Sequence, residues 1–260
     1  MFICSVNIIC EYIKYIAKAK GRHQIHSPFV YELVDVCFSQ KVAKKDKKTL
    51  ARFTSTLYND KNNYEFDTQG AGSKRKNTFA QIKQYATNAR TKGKYWTLLY
   101  KISTHYKPTR ILELGTNFGF GSLALSLGHP SAEIDTVEGS NILYEINQKN
   151  FKNFSNHKIE FHRNTFDTFF DTKPQTKYDL IFIDGDHTSE KLFKHLEKAI
   201  EYAHNETLIL IDDIRWSGDM YDAWEQITAD KRFNLTIDLF KLGIILLKDN
   251  KEKEHFIIRY

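Results

Sequence analysis

From residue 110 onward, short apolar runs alternate with stretches of helical spacing, and no other feature of the chain constrains its fold as strongly. The runs read RILEL, EIDTVE, KIEFHR, YDLIFID, TLILIDD, LTIDLF and GIILLK, with helical stretches at 121–127, 141–153, 188–203 and 218–229. Near-continuous apolar strands separated by helices are buried on both faces, as in a parallel sheet. The last two runs are joined only through Phe240-Lys241-Leu242-Gly243, too short for a crossover helix, so they must form an antiparallel hairpin. The expected fold is α/β: a doubly wound seven-stranded sheet, five strands parallel plus a terminal antiparallel hairpin, with an N-terminal helical appendage. The expected division is an appendage over 1–93 and a ligand-binding domain over 94–260.

The appendage has its own punctuation. Residues 2–19 carry helical spacing through Ile9, Ile13 and Ile16, and Ser27-Pro28 reads as an N-cap followed by proline, opening the helix FVYELVDVCF. Residues 55–78 are polar, contain Gly70-Ala71-Gly72-Ser73-Lys74-Arg75-Lys76, and are expected to form a mobile loop or linker. Helices are expected over 78–89 and 93–106, with Pro108 closing the appendage. Charge is divided unevenly: residues 1–110 hold 21 Lys and Arg against 7 Asp and Glu, and residues 111–260 hold 17 against 25. A basic half beside an acidic half fits a solvated appendage, and it leaves nucleic acid open as a partner. Cys4, Cys10 and Cys37 have no metal-binding spacing and read as reduced thiols of a cytoplasmic protein. No segment approaches membrane-spanning length, so no membrane insertion is expected.

The first strand runs into a glycine-rich turn, Gly115-Thr116-Asn117-Phe118-Gly119-Phe120-Gly121, which opens a helix. Missing Cβ atoms let a ligand approach the backbone, and the helix N-terminus offers N–H groups, so this turn is suited to a nucleotide-sized ligand. Glu113, a carboxylate inside an apolar strand, is expected to meet a donor there. Ligands in such sheets bind at the carboxyl ends of the strands. The second strand ends in Glu138, placed to accept from ribose hydroxyls, and the third in Arg163-Asn164-Thr165, where Asn164 faces the choice of adenine reader or turn residue. The fourth ends in Asp184-Gly185-Asp186-His187 and the fifth in Asp212-Asp213. So many carboxylates need a cation or donors to offset them, and hard oxygen ligands suit Mg²⁺ or Ca²⁺. His187 has the chemistry of a general base near neutral pH. His23 and His26, three residues apart, lack further ligands nearby and read as a structural pair or a pocket wall.

As an ordered set these segments resemble the class I S-adenosylmethionine-dependent methyltransferases, whose fold is Rossmann-like, over residues 94–248. ELGTNFGFGS is similar to their first motif, VEGS to the ribose-binding second, and YDLIFIDGDH and LILIDDIRWSG to the later strand ends. The closest branch is the cation-dependent catechol and caffeoyl-CoA type O-methyltransferases. There a strand-end Asp is followed by a lysine base, an Asp-Asn pair, and often a Trp and a Gly. Here those positions hold Asp184, His187, Asp212-Asp213, Trp216 and Gly218. His187 thus replaces a lysine and Asp213 an asparagine. The HQIHSPFVY segment and basic appendage resemble a bacterial methyltransferase subgroup.

The resemblance implies S-adenosylmethionine as cofactor, held by Glu113, Gly115, Thr116, Asn117, Gly119, Glu138, Asn164 and Asp184. It implies a divalent ion on Asp184, Asp212 and Asp213, catalysis by Asp184 and His187, and a small-molecule hydroxyl as acceptor. Homodimers are common in that branch. A short-chain oxidoreductase shares the glycine turn but uses Tyr-x-x-x-Lys, and none of the fourteen tyrosines has a lysine four residues later. An RNA-directed methyltransferase remains the alternative that the basic appendage favours.

Overall fold

The computed structural model describes residues 8–66, 78–82, 93–154, 158–247 and 252–260. The chain divides into two compact units, one of residues 37–173 and one of 1–36 with 174–260.

The first unit begins with α3, Lys44–Asn59, following two helices of the other unit: α1, Ile8–Lys18, and α2, Pro28–Glu32. The strands β1, Asn63–Phe66, and β2, Thr78–Gln81, then pair antiparallel. The linker expected at 55–78 is therefore corrected: its start continues α3 and its middle opens a hairpin, because Tyr64 and Phe66 add strand formers to a polar stretch. Gly70–Lys76 lies outside the described residues. The helix expected over 78–89 is likewise a strand at its beginning, with 83–92 outside the description.

Helix α4, Gly93–Tyr106, packs against α5, Phe120–Gly128. A Cβ on Gly128 would stand 2.5 Å from the Tyr100 carbonyl oxygen, so the approach of these helices requires glycine. Ser103 Oγ donates to Leu125 O at 2.7 Å across the same contact. Lys107 closes α4 in the left-handed region at φ 49, and Pro108 follows. Between and after these helices run β3, Arg110–Leu114, β4, Glu133–Val137, and β5, Lys158–His162, parallel in the order β3-β4-β5. Helix α6, Asn141–Phe151, joins β4 to β5, and α7, Phe166–Thr172, follows β5. Ile111, Leu112, Leu114 and Val137 are fully buried, as two-sided strands require.

In the second unit, β6, Tyr178–Ile183, and β7, Ala203–Ile211, are parallel, joined through α8, Ser189–Glu201. Helix α9, Gly218–Ala229, leads to the hairpin of β8, Leu235–Asp238, and β9, Gly243–Leu246. β9 runs antiparallel between β7 and β8, as the short connection demanded. The fold is thus the expected Rossmann-like α/β type, and besides the β1–β2 hairpin it differs from expectation in one further strand. An eighth strand, β10, Glu254–Ile257, pairs parallel with β8. Only four residues long and preceded by Lys251-Glu252-Lys253, it carries too little periodicity to be read from sequence.

Helix α1 is tied to this unit by Tyr15, whose hydroxyl donates to the Ile258 carbonyl and whose ring lies 5.2 Å from Phe240. Burial pushes the Tyr15 phenol up to about 12. Pro28 does open α2, but the Ser27 hydroxyl donates to Glu254 Oε2 at 3.0 Å instead of capping the helix. Among the described residues no helix is long and apolar enough to cross a membrane.

Candidate active site

In the first unit the polar residues gather where β3 and β4 end. Glu113 is fully buried near the end of β3, and its Oε2 accepts from the Ser122 hydroxyl and from Thr136 Oγ1 at 2.6 Å. Two hydroxyl donors offset the cost of burying the carboxylate and fix it between α5 and β4. Thr136 Oγ1 also lies 2.6 Å from Thr116 Oγ1, so the strand end and the glycine turn share one hydroxyl network. The turn itself needs left-handed backbone three times: Gly115 at φ 107, Asn117 at φ 48 and Gly119 at φ 79. At Gly119 a Cβ would meet Asn147 Oδ1 and Phe151 Cε2, each at 2.6 Å, so glycine is required by conformation and by packing.

Glu138, half-buried just beyond β4, accepts from the Asn117 amide at 2.8 Å and from the Ser140 amide at 2.9 Å, one through each carboxylate oxygen. The acid therefore joins the glycine turn to the start of α6. Asn147, fully buried on α6, completes the clamp: its Nδ2 donates to Asn117 O at 2.6 Å and to Leu143 O at 2.9 Å. Sequence reasoning passed over Asn147; the available signal was a poor helix former inside a helix. Asn164 is half-buried after β5, its carbonyl 3.9 Å from where a Gly139 Cβ would stand. Thr165 caps α7, accepting from Thr168 N at 3.1 Å.

In the second unit the loops after β6 and β7 bring carboxylates and an imidazole together. Asp184 and His187 are half-buried; Asp212 and Asp213 are buried. The ligand atoms of Asp184, His187 and Asp213 all lie within 4.8 Å of one another. Asp212, directly beyond β7, lies outside this group, while its amide donates to Ile183 O at 2.9 Å and extends the β6–β7 pairing. Asp186 turns away on left-handed backbone, φ 52, and pairs with Lys191 at 2.7 Å.

Two supports hold these loops. Asp219 on α9 accepts from Ser189 N at 2.7 Å and Ser189 Oγ at 2.6 Å, tying the loop after His187 to the loop after Asp213. Those bonds from Ser189 hold the Asp219 carboxyl below its ordinary value of 3.8. The tie therefore contributes above the usual carboxylate range and is lost as pH falls through the depressed value. A pH titration following the Ser189 amide by NMR is expected to show a transition with its midpoint below the ordinary carboxyl value of 3.8; a midpoint above that value contradicts the tie. The second support is Arg215, whose side chain enters the core while Trp216 stays exposed over His187, ring to ring 5.4 Å. Arg215 meets Asp238 bidentately at 2.8 and 2.6 Å, donates to Phe240 O at 2.7 Å, and lies 4.7 Å over the Tyr221 ring. Burial opposes the guanidinium charge, yet Asp238 outweighs it and keeps the pKa of Arg215 above its ordinary value.

The fold resembles several solved structures. The SAH-bound PaMTH1 of Podospora anserina aligns with TM-score 0.54 at 17% identity, over 86% of this chain and 97% of its own. Cofactor-bound Rv0187 from MTB aligns with TM-score 0.56 at 15% identity, over 85% and 97%. A putative caffeoyl-CoA O-methyltransferase from Staphylococcus aureus aligns with TM-score 0.53 at 17% identity, over 65% and 92%. These likenesses show a shared Rossmann-like α/β fold. A family model described as O-methyltransferase matches residues 60–254, and the chain belongs to that family.

Proposed function

We propose that the protein transfers a methyl group from S-adenosylmethionine to a hydroxyl of a small-molecule acceptor. The observation that carries this reading is the Glu138 junction, where one carboxylate binds both the glycine turn and the start of α6. Each oxygen receives one backbone N–H and retains acceptor capacity for ribose hydroxyls. In this reading Glu113, Gly115, Thr116, Asn117 and Gly119 shape the wall for the methionine portion, and Asn164 the adenine edge. When bound, S-adenosylmethionine supplies a methyl group activated by its sulfonium, so the chain's task is alignment. Glu138→Ala removes a charged acceptor shared by two amides, and is expected to weaken S-adenosylmethionine binding about 10–100-fold. An equilibrium titration with unchanged affinity contradicts the role.

The acceptor end of the reading lies at the corner of Asp184, His187 and Asp213. Its donor set fits a divalent ion, which when bound lowers the pKa of an acceptor hydroxyl. In a metal-free site His187 is the group suited to take that proton. The experiment is release of S-adenosylhomocysteine with vicinal diols such as catechol as acceptors. Asp184→Ala and Asp213→Ala are each expected to lower kcat/KM at least ~10-fold, the loss of about 1.4 kcal/mol of transition-state stabilisation. Full turnover in both variants removes cation assistance from the account.

An RNA-directed methyltransferase is a second reading, favoured by the exposed Lys44, Lys45, Lys47, Lys48 and Arg52 of α3. Retention of total RNA at moderate salt supports it, and absence of any retardation at low salt removes it.

A further inference from the structure

We infer that α1 is an interfacial helix, which lays its isoleucine face on an anionic lipid bilayer. The inference is independent of the methyltransferase reading, and its test involves no cofactor. At about 100° per residue, Ile8, Tyr12, Ile16, Ile9 and Ile13 fall on one stripe of α1 roughly 140° wide. A surface helix ordinarily turns such a stripe to the core. Here most of it faces out: Ile9 is 67% exposed, Ile13 62%, Tyr12 49% and Ile8 46%. The helix is held from one edge instead. Tyr15, 3% exposed, donates its hydroxyl to the Ile258 carbonyl, and the Tyr12 ring meets Phe240 edge-on at 5.0 Å.

Positive charge accompanies this stripe. Residues 8–24 hold Lys14, Lys18, Lys20 and Arg22, all exposed, against a single acid, Glu11. Glu11 pairs with Lys14 at 2.7 Å, and Asp35 pairs with Arg22 at 2.9 Å. Lys18 and Lys20 have no ion pair among the described residues, so a positive surplus stands at the end of α1. Lys14 and Lys18 occupy the polar side of the helix. A helix is about 10 Å across, so their charges stay within roughly one Debye length of a surface that the stripe touches.

An anionic bilayer is the partner that accepts both features. The isoleucines leave water for the boundary between headgroups and acyl chains, while the ammonium groups stay with the lipid phosphates. A second copy docked through the same patch would bring two sets of these lysines together. Nucleic acid would take the charge and leave the isoleucine stripe in water. With 11 residues, α1 is too short to cross a bilayer and lies along its surface.

The test floats the full-length protein with vesicles of phosphatidylcholine alone, and of phosphatidylcholine mixed two to one with phosphatidylglycerol. The expected result is at least ~10-fold more protein bound to the anionic vesicles, falling as salt rises. Ile9→Gln with Ile13→Gln keeps the charge and the helix propensity, and is expected to cut that binding at least ~10-fold. Its circular dichroism and melting temperature are expected to stay at the parent values, because both side chains stand in water. Lys18→Glu with Lys20→Glu is expected to weaken binding to a similar degree. Lys44→Glu with Lys45→Glu, exposed on α3, is expected to retain most of it. Flotation that is absent, equal on neutral vesicles, or unchanged in either α1 variant overturns the inference, as does a loss confined to the α3 variant. Light scattering that shows a parent dimer, made monomeric by Ile9→Gln with Ile13→Gln, and no flotation assigns the face to a second copy and overturns it too.

Discussion

Gly119→Val is expected to cost the protein roughly 5–15 °C in melting temperature and at least ~10-fold in affinity for S-adenosylmethionine. Left-handed backbone at φ 79 costs a side chain about 1–2 kcal/mol, more for a β-branched one. The new Cβ would also stand 2.6 Å from Asn147 Oδ1 and from Phe151, both on α6. Forcing atoms into so close a contact adds about 1–3 kcal/mol. For a protein of this size each kcal/mol moves the melting temperature by roughly 2–4 °C. The binding loss follows because Asn147 also holds the Asn117 carbonyl, so displacing it disturbs the turn that Glu138 grips. Gly139→Ala is the control: its Cβ would meet only the Asn164 carbonyl oxygen, at 3.9 Å. That variant is expected to melt within about 2 °C of the parent. Equal melting temperatures for the two variants contradict the packing argument.

Asp238→Ala is expected to be the most destabilising single change in the second unit, at about 3–5 kcal/mol or roughly 6–20 °C. It strips the bidentate partner from Arg215, which is 6% exposed, and leaves a buried guanidinium facing one carbonyl and three aromatic rings. The same carboxylate accepts from the Phe240 amide at 2.7 Å, where the backbone is left-handed at φ 74, so the hairpin turn loses its brace as well. Replacing both partners with apolar residues, Arg215→Met with Asp238→Leu, is expected to recover much of the loss, because no buried charge is left unpaired. Calorimetric melting of the single and double variants checks this. An Asp238→Ala protein that melts within a degree or so of the parent contradicts it.

Much of this architecture was legible in the chain, for physical reasons. Strands such as RILEL and YDLIFID declare themselves because both faces are buried, and the terminal hairpin because four residues cannot carry a crossover. Glu113 stood out as a carboxylate in an apolar strand, and the structure supplies its donors from Ser122 and Thr136. The misses share one cause. β1, β2 and β10 are four residues each, and what makes them strands is a partner elsewhere in the chain. Arg215 reads as a surface residue until Asp238, 23 positions later, closes on it. Asn147 and Asp219 act on loops carried by other elements, 30 residues away in each case, and no local pattern announces that. The grouping of His187 with Asp184 and Asp213, and the exclusion of Asp212 from it, likewise depends on backbone geometry after β6 and β7.

The central claim is the cofactor site built on Glu138 and the glycine turn, and calorimetry with S-adenosylhomocysteine tests it most directly. The full-length protein is expected to bind one equivalent, with affinity about 10–100-fold weaker in Glu138→Ala. No heat with the parent protein, with or without added divalent ion, would contradict the account.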